Sequence, residues 1–136
     1  MSGGLCFPLY ACSREIIKRY TPFLEKIDLT YTQYIAMMVL WEKKQISLKE
    51  LVKCLFLDSG TLTPLLKKLE QKGYVTRTRS EEDERVLIAA ITPKGEDLKD
   101  EAVLIPQKMM ACAALPQEKA AQLYTLLYEL LNTLEK

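Results

Sequence analysis

The sequence predicts a mainly α-helical domain that carries one small β-hairpin, with its elements in the order α-α-α-α-β-β-α-α. Apolar residues recur at helical spacing over most of the chain, as they do at Leu62, Leu65, Leu66 and Leu69. Two short segments, YVTRTRS and VLIAAIT, instead combine strand-favouring residues on either side of a charged turn. That combination predicts a hairpin.

Three helices are predicted before the most informative part of the chain. The first runs from Cys6 to about Glu25. Thr30 should cap the second, TQYIAMMVLWEK, with Gln33 as its capping-box partner, and the apolar residues on nearly all sides of this helix predict a central position. Ser47 should cap the third, SLKELVKCLFL, whose buried stripe is predicted to be Leu48, Leu51, Val52 and Leu55.

The fourth helix is predicted to start between Asp58 and Thr61. Pro64 favours the later start, because proline lacks an N–H and is tolerated best in a first turn. Gly73 should end this helix as the glycine that follows its last residue.

Two helices are predicted after the hairpin. Thr92 should cap the fifth, which begins with Pro93 and runs to about Cys112. The sixth should run from Gln117 to near Glu135, with leucines in helical register at Leu123, Leu126, Leu127, Leu130, Leu131 and Leu134.

Length and composition set the broad class. A chain of 136 residues is long enough for one domain with a real core, and a hydrophobic content of 49% excludes disorder. No apolar run reaches the length that a membrane span requires. The start, MSGGLCFPLY, lacks the features of a signal peptide, so we expect a cytoplasmic protein.

Several kinds of chemistry are excluded by residue type. The chain has no histidine, which removes Ser–His and Cys–His catalysis and His-ligated zinc. Its four cysteines form no C-x-x-C pair, and its five glycines form no phosphate loop. We therefore expect no enzyme activity, no metal and no cofactor.

Residues 57–92 predict a winged helix-turn-helix. The fourth helix has small hydroxyls at its start and lysines along its polar side, and the hairpin that follows carries arginines. Such a helix can enter the major groove of a DNA duplex while the hairpin reaches a neighbouring minor groove. A lysine-rich amphipathic helix can also be only a solvated surface.

Local charge favours the DNA interpretation. Residues 53–79 carry six Lys or Arg residues against two acids, a net charge of +4, whereas the whole chain is +1 and residues 93–136 are −2. Ser59, Thr61 and Thr63 should lie nearest the base edges. Phosphate contacts should come from Lys67, Lys68, Arg77 and Arg79. Arg85 should enter the minor groove, held in position by a carboxylate pair with Asp83.

The flanking helices are too long and apolar for an isolated DNA-binding lobe. We expect one domain, in which residues 30–92 form the DNA-binding lobe and residues 5–27 and 93–136 form a dimerisation region. A two-fold homodimer would match a palindromic operator. The alternative is that these helices complete an intramolecular core.

The segment LDSGTLTPLLKKLEQKGYVTRTRSEEDER resembles the DNA-binding core of the MarR family of transcriptional regulators. It closely resembles the OhrR group, whose members sense organic hydroperoxides. The N-terminal LCFPLYACSREIIKRYTPFLEKIDLTYTQY resembles the same group. The resemblance covers almost the whole chain, from Leu5 to about Leu134.

This resemblance implies that Cys6 is the peroxide-reactive cysteine and that Tyr20 and Tyr31 donate hydrogen bonds to its sulfur. It also implies that Cys112 resolves the oxidised Cys6 as a disulfide across the dimer, as in two-cysteine members of the group. Cys12 should face another side of the first helix, and Cys54 should belong to the core.

The function expected from these observations is that of a repressor that releases double-stranded DNA when Cys6 is oxidised by an organic hydroperoxide. One alternative is a MarR-type regulator that responds to a small aromatic ligand rather than to cysteine oxidation. A more distant alternative is a helical interaction protein that does not bind DNA.

Overall fold

The computed structural model describes residues 4–112 and 115–134, which form seven helices and three strands. In chain order they are α1 Cys6–Glu25, α2 Tyr31–Lys43, β1 Gln45–Ser47, α3 Leu48–Leu55, α4 Ser59–Gln71, β2 Val75–Arg79, β3 Leu87–Ile91, α5 Pro93–Ala102, α6 Ile105–Cys112 and α7 Gln117–Leu134. None of the described helices has the length and apolar content needed to span a bilayer.

The chain divides into two compact units, Met1–Ile105 and Pro106–Lys136. The first unit contains α1 to α5 and the sheet, and the second contains nearly all of α6 together with α7. The sheet has the order β1-β3-β2, and both strand pairs are antiparallel.

The predictions for α1 and α2 are confirmed. The Thr30 hydroxyl accepts a hydrogen bond from the Gln33 N–H at 3.3 Å, and the Gln33 side-chain oxygen accepts one from the Thr30 N–H at 3.1 Å. This reciprocal capping box fixes the start of α2. Ala36, Met37 and Leu40 are fully buried in α2, which is the central helix of the first unit.

The predicted two-stranded hairpin is part of a three-stranded sheet. The sequence analysis missed β1, whose Ile46 is buried and pairs with Ala89 of the central strand β3. A three-residue strand is too short to give a period-2 pattern. Its last residue, Ser47, also accepts a hydrogen bond from the Glu50 N–H at 3.2 Å and so caps α3.

The fourth helix begins at Ser59, within the predicted range from Asp58 to Thr61, but not at the later end of that range that Pro64 favours. The Asp58 carboxylate accepts a hydrogen bond from the Thr61 N–H at 2.7 Å, which makes Asp58 the N-cap. Pro64 lies inside the helix, where its missing N–H leaves the carbonyl of the exposed Gly60 to solvent.

The end of α4 agrees with the prediction. Gly73 has φ +85, and its N–H donates to the Glu70 carbonyl at 3.0 Å. The Tyr74 N–H donates to the Leu69 carbonyl at 3.0 Å, which completes a Schellman motif.

The fifth predicted helix is two helices rather than one. The helical backbone stops after Ala102, turns at Val103 and Leu104, and resumes at Ile105. Pro106 accounts for the break, because it has no N–H to donate to the carbonyl of Ala102 and its ring would clash with that carbonyl. The predicted start at Thr92 and Pro93 is confirmed.

The core of the first unit contains the predicted leucine face of α4. Leu62, Leu65, Leu66 and Leu69 are all at most 7% exposed. The predicted stripe of α3 is only partly buried: Leu51 is fully buried, and its neighbours Leu48, Val52 and Leu55 are half-buried. The prediction that Cys54 is a core residue is wrong, because Cys54 is exposed beside this stripe.

One buried hydrogen bond ties α2 to α5. The Trp41 indole N–H donates to the carbonyl of Gly95 at 2.8 Å. A Cβ at Gly95 would collide with the carbonyl oxygen of Tyr74 and would lie 2.9 Å from Ile91 Cγ1. Only glycine allows α5 to approach the sheet this closely.

We therefore predict that Gly95→Ala destabilises the protein by about 1–3 kcal/mol, because the added methyl group forces backbone to move. Equilibrium unfolding in urea measures the change. Gly60→Ala is the matched control, because its Cβ would make only an ordinary 3.4 Å contact with the Asp58 carboxylate. That control should be neutral or stabilising by up to about 1 kcal/mol. Equal losses in both variants would contradict the packing argument.

Candidate nucleic-acid interface and cysteine site

The outer face of α4 consists of exposed polar side chains. Because the four leucines hold the opposite face in the core, the helical period turns these residues outward. These residues are Ser59, Thr63, Lys67 and Lys68. Their side chains make no hydrogen bond or ion pair with another described residue. Such a row can contact base edges with its hydroxyls and phosphates with its ammonium groups.

The first turn of α4 is organised by Asp58. Hydrogen bonds from the side chain and the backbone N–H of Thr61 lower the pKa of the Asp58 carboxyl. Asp58 therefore remains ionised and holds Thr61, the third residue of the helix. Thr61 is exposed, as predicted for a residue near base edges, but it also serves this cap.

The two arginines of β2 have different environments. Arg77 is half-buried, and its guanidinium lies 3.0 Å from the Glu70 carboxylate of α4. The backbone N–H of Arg77 donates to the other oxygen of Glu70 at 3.2 Å. This clip joins α4 to β2. Arg79 is exposed and makes no ion pair within the described part of the chain.

A groove lies between the start of α4 and the hairpin. It has a volume of about 580 Å³, and its floor includes the apolar residues Leu48, Val52 and Val86. Lys53, Arg79 and Arg85 lie around it. The groove has no signal in the sequence, because the residues that line it come from α3, α4 and both sides of the hairpin loop.

The β2–β3 hairpin, residues 75–91, is called the wing below. At its tip the Arg85 guanidinium lies 3.1 Å from the Asp83 carboxylate, and the Arg85 N–H donates to the same oxygen at 3.0 Å. These contacts lower the pKa of Asp83 and keep it charged. The predicted Asp83–Arg85 pair is thus present. The Arg85 side chain is 90% exposed, so its guanidinium remains accessible.

Lys72 was not predicted as a site residue. It caps the C-terminal end of α4, and its ammonium group donates to the carbonyl of Asp28 at 2.6 Å and to the side-chain oxygen of Gln33 at 3.0 Å. Both acceptors lie 39 residues or more away in the sequence. Helical spacing carries no signal for such a distant contact.

Cys6 is the first residue of α1, and it is exposed. The preceding Leu5 is 68% exposed and the following Phe7 is 55% exposed. Among the described cysteines, Cys12 and Cys54 are also exposed and free. Exposure alone therefore does not distinguish Cys6 from them.

Tyr20, Tyr31 and Tyr34 form a tyrosine cluster at the other end of α1. The rings of Tyr20 and Tyr31 meet edge to face with centroids 5.2 Å apart, and Tyr34 lies 5.8 Å from Tyr20. Burial raises the pKa of Tyr20 and of Tyr31, and it raises the pKa of Tyr34 to about 12 with a further contribution from the other two phenols. All three remain protonated hydrogen-bond donors at neutral pH.

Cys6 and the tyrosine cluster are far apart within one subunit. Fourteen residues of continuous helix separate Cys6 from Tyr20, which corresponds to about 21 Å along the axis. Tyr31 packs on Tyr20, so it lies at the same end of α1, away from Cys6. The structure therefore does not bring the predicted sulfur and hydroxyl groups together in one chain. The side chain of Cys112 falls outside the described part of the chain.

The sequence model of the SarA/Rot transcriptional regulator family matches residues 18–102, which is more than half of the chain. The chain is 48% identical over all 136 residues to the organic hydroperoxide resistance transcriptional regulator of Bacillus subtilis strain 168, of which it covers 92%. It is 46% identical over 123 residues to the HTH-type transcriptional regulator SarZ of Staphylococcus epidermidis, covering 90% of this chain and 83% of SarZ.

The fold is similar to that of AbfR, a protein of Staphylococcus epidermidis. Reduced AbfR bound to DNA superposes with a TM-score of 0.81 at 32% identity, over 97% of this chain and 92% of AbfR. AbfR is also known overoxidised on DNA, with a TM-score of 0.79, and in a disulfide form, with a TM-score of 0.66. The overoxidised form is 35% identical over 96% of this chain and 91% of AbfR. The disulfide form is 33% identical over 96% of this chain and 87% of AbfR.

The winged helix-turn-helix arrangement and these similarities agree with one another. The family match spans the last eight residues of α1, then α2 to α4, the whole three-stranded sheet and α5. The full-length relative extends the similarity to both ends of the chain. The chain therefore belongs to the MarR-like winged-helix family of transcriptional regulators that includes SarA and Rot, and within it to the group of the organic hydroperoxide resistance regulator.

Proposed function

We propose that the protein is a homodimeric DNA-binding repressor that senses organic hydroperoxides by oxidation of Cys6 and then releases its operator. The observation that carries this proposal is the exposed polar face of α4 beside an accessible wing arginine. The DNA-bound state of the similar AbfR supports the DNA partner. The organic hydroperoxide resistance regulator, similar over the whole chain, supports the inducer.

In this proposal α4 enters the major groove of the operator. Ser59, Thr61 and Thr63 lie nearest the base edges, because they occupy the first exposed turns of the helix. Phosphate contacts come from Lys67, Lys68 and Arg79, which are exposed and unpaired within the described residues.

The remaining predicted DNA-binding residues act through ion pairs. Arg77 contacts phosphate from a fixed position, because Glu70 holds its guanidinium against α4. Arg85 enters the minor groove from the wing tip. Asp83 holds that guanidinium in a fixed orientation, which reduces the entropy lost when it binds.

We infer that residues 5–27 and 93–136 form the dimer interface. No residue of the described part of α7 is buried, although leucines and tyrosines recur along it, and the apolar residues beside Cys6 are exposed as well. Apolar surface of this extent requires a partner. A two-fold dimer would present two α4 helices to a palindromic operator in double-stranded DNA.

The sensing step is a two-electron oxidation of Cys6. The thiolate sulfur attacks one oxygen of the hydroperoxide, the O–O bond breaks, and an alkoxide leaves and takes up a proton to become an alcohol. The sulfur is left as a sulfenic acid. We propose, on the family resemblance, that Cys112 then attacks this sulfur, forming a disulfide and releasing water.

We propose that Tyr20 and Tyr31 assist the Cys6 of the partner subunit rather than their own. About 21 Å of helix separates them from Cys6 in the same chain. Their hydroxyls have no hydrogen-bond partner among the described residues, and burial keeps them protonated by raising the pKa of each. A protonated phenol donates to a thiolate and favours the charged form.

We predict that Arg85→Ala weakens operator binding by about 1–3 kcal/mol, because it removes a groove contact. A duplex from the region upstream of the protein's own gene serves as the probe in a gel-shift titration at moderate salt. Lys43→Ala is the control, since Lys43 is an exposed cation at the end of α2, outside both the proposed dimer interface and the proposed DNA-contact residues. Unchanged affinity of Arg85→Ala would exclude the minor-groove role of the wing.

Cys6→Ser should bind the same duplex as tightly as the parent but should not leave it on treatment with cumene hydroperoxide, because an alcohol is not oxidised by this route. Cys12→Ser is the control, since Cys12 is exposed on the same helix. It should respond normally and should still give a crosslinked dimer on a non-reducing denaturing gel. A Cys6→Ser protein that still leaves DNA with hydroperoxide would support the small-ligand alternative.

The assignment of the tyrosines to the partner subunit predicts the behaviour of mixed dimers. Two differently tagged chains are combined, one carrying Cys6→Ser and the other Tyr20→Phe with Tyr31→Phe. The single remaining Cys6 then faces the intact phenols of its partner and should be oxidised at the parental rate, measured by sulfenic-acid labelling. The Tyr20→Phe, Tyr31→Phe homodimer should be slower. Equal rates in these two dimers would contradict assistance across the interface.

A further inference from the structure

Lys72 joins three elements at one point. Its ammonium group lies at the C-terminal end of α4 and contacts the turn between α1 and α2, residues 26–30. It donates to the Asp28 carbonyl at 2.6 Å and lies 3.6 Å from the Asp28 carboxylate. It also donates at 3.0 Å to Gln33 of α2. The lysine side chain is 26% exposed, so most of it is removed from solvent.

The acceptors of Lys72 are themselves held tightly. Gln33 is 4% exposed, and the oxygen that accepts from Lys72 also accepts from the Thr30 N–H that starts α2. Asp28 has φ +56, a conformation that few non-glycine residues adopt. The ammonium group is thus bound to a turn with a defined and strained shape, and the turn cannot shift without changing these contacts.

An ordinary capping role does not account for Lys72. A lysine at a helix C-terminus commonly interacts with the last carbonyls of its own helix. Here the carbonyl of Lys72 itself is satisfied by a different lysine, Lys94, whose ammonium group donates to it at 2.9 Å. Gly73 closes the helix end through the Schellman motif. The Lys72 ammonium is directed to the turn instead.

The same turn is flanked by the tyrosine cluster. Tyr20 lies before the turn on α1 and Tyr31 follows it on α2, and their rings pack against each other across it. The two rings thus connect the helices that the turn joins. Lys72 provides a direct hydrogen-bonded link from the turn to the DNA-facing helix, in addition to the leucine packing.

We propose that Lys72 is a positioning residue that couples the state of the tyrosine cluster to the orientation of α4. This inference rests on the proposed function for its redox input. Oxidation of the sulfur removes the thiolate to which the phenols donate, the rings rearrange, and the turn carries the change through Lys72 to α4. Coupling between distant sites requires an element with two arrangements whose balance both sites influence. In this proposal that element is the turn with Lys72, which the tyrosine cluster influences on one side and α4 on the other.

The test compares Lys72→Met with Lys94→Met, which removes a lysine from the same helix end without touching the turn. The affinity for the upstream duplex is measured for reduced protein and for protein treated with cumene hydroperoxide. The oxidation rate of Cys6 is followed by sulfenic-acid labelling. Lys72→Met should bind DNA when reduced, and its Cys6 should be oxidised at the parental rate. The factor by which oxidation lowers its DNA affinity should nevertheless be at least tenfold smaller than the factor measured for the parent.

Lys94→Met should lose as much DNA affinity on oxidation as the parent does. Lys72→Arg should restore part of the oxidation-induced fall in affinity that Lys72→Met lacks, because a guanidinium can donate to the same oxygens. A parental loss of affinity in Lys72→Met, or an equally diminished loss in Lys94→Met, would overturn the proposal. A parent whose affinity does not fall on oxidation would instead refute the proposed function.

A double-mutant cycle in the reduced protein tests, independently of oxidation, whether Lys72 couples the tyrosine cluster to α4. The effect of combining Tyr31→Phe with Lys72→Met on DNA affinity should differ at least threefold from the product of the two single effects. Tyr31→Phe and Lys94→Met should be additive. Additivity in both pairs would remove Lys72 from the link.

Discussion

The burial of the leucine face of α4 is the interaction on which the DNA-facing surface depends. Burying one leucine contributes about 1.5–3 kcal/mol, so four of them fix the rotation of α4 about its own axis far more strongly than any exposed polar contact could. The display of Ser59, Thr63 and Lys67 to solvent is a geometric consequence of that rotation. The clip from Arg77 to Glu70 then holds the wing relative to the helix that has been fixed in this way.

Much of this fold could be predicted from the sequence, because its helices have strong local signals. The capping box at Thr30 and the glycine at the end of α4 are visible in a few adjacent residues, and both are present. The strand containing Ile46 was missed because three residues carry no periodicity. The start of α4 lies at the early end of its predicted range, because the capping carboxylate of Asp58 outweighs the preference of Pro64 for a first turn.

The types of residue at the site were easier to predict than their partners. The Asp83–Arg85 pair was predictable, since its members are only two positions apart in a tight loop. The Glu70 partner of Arg77 lies seven residues away across a turn, and only the bend at Gly73 brings the two together. The distance from Cys6 to Tyr20 follows from helix geometry alone. The sequence could therefore have indicated that the phenols do not reach the sulfur within one chain.

The basic residues of α4 and β2 serve two different purposes, which a count of charges does not separate. Lys67, Lys68 and Arg79 make no ion pair among the described residues, so their charges are not neutralised by a neighbouring carboxylate. Arg77 and Lys72 are held in ion pairs at the C-terminal part of α4, one toward the wing and the other toward the α1–α2 turn. The helix is thus attached to two neighbouring elements by charges that do not need DNA to be satisfied. A shift of the turn or of the wing would therefore move α4 and the unpaired cations on it without altering the net charge of the surface.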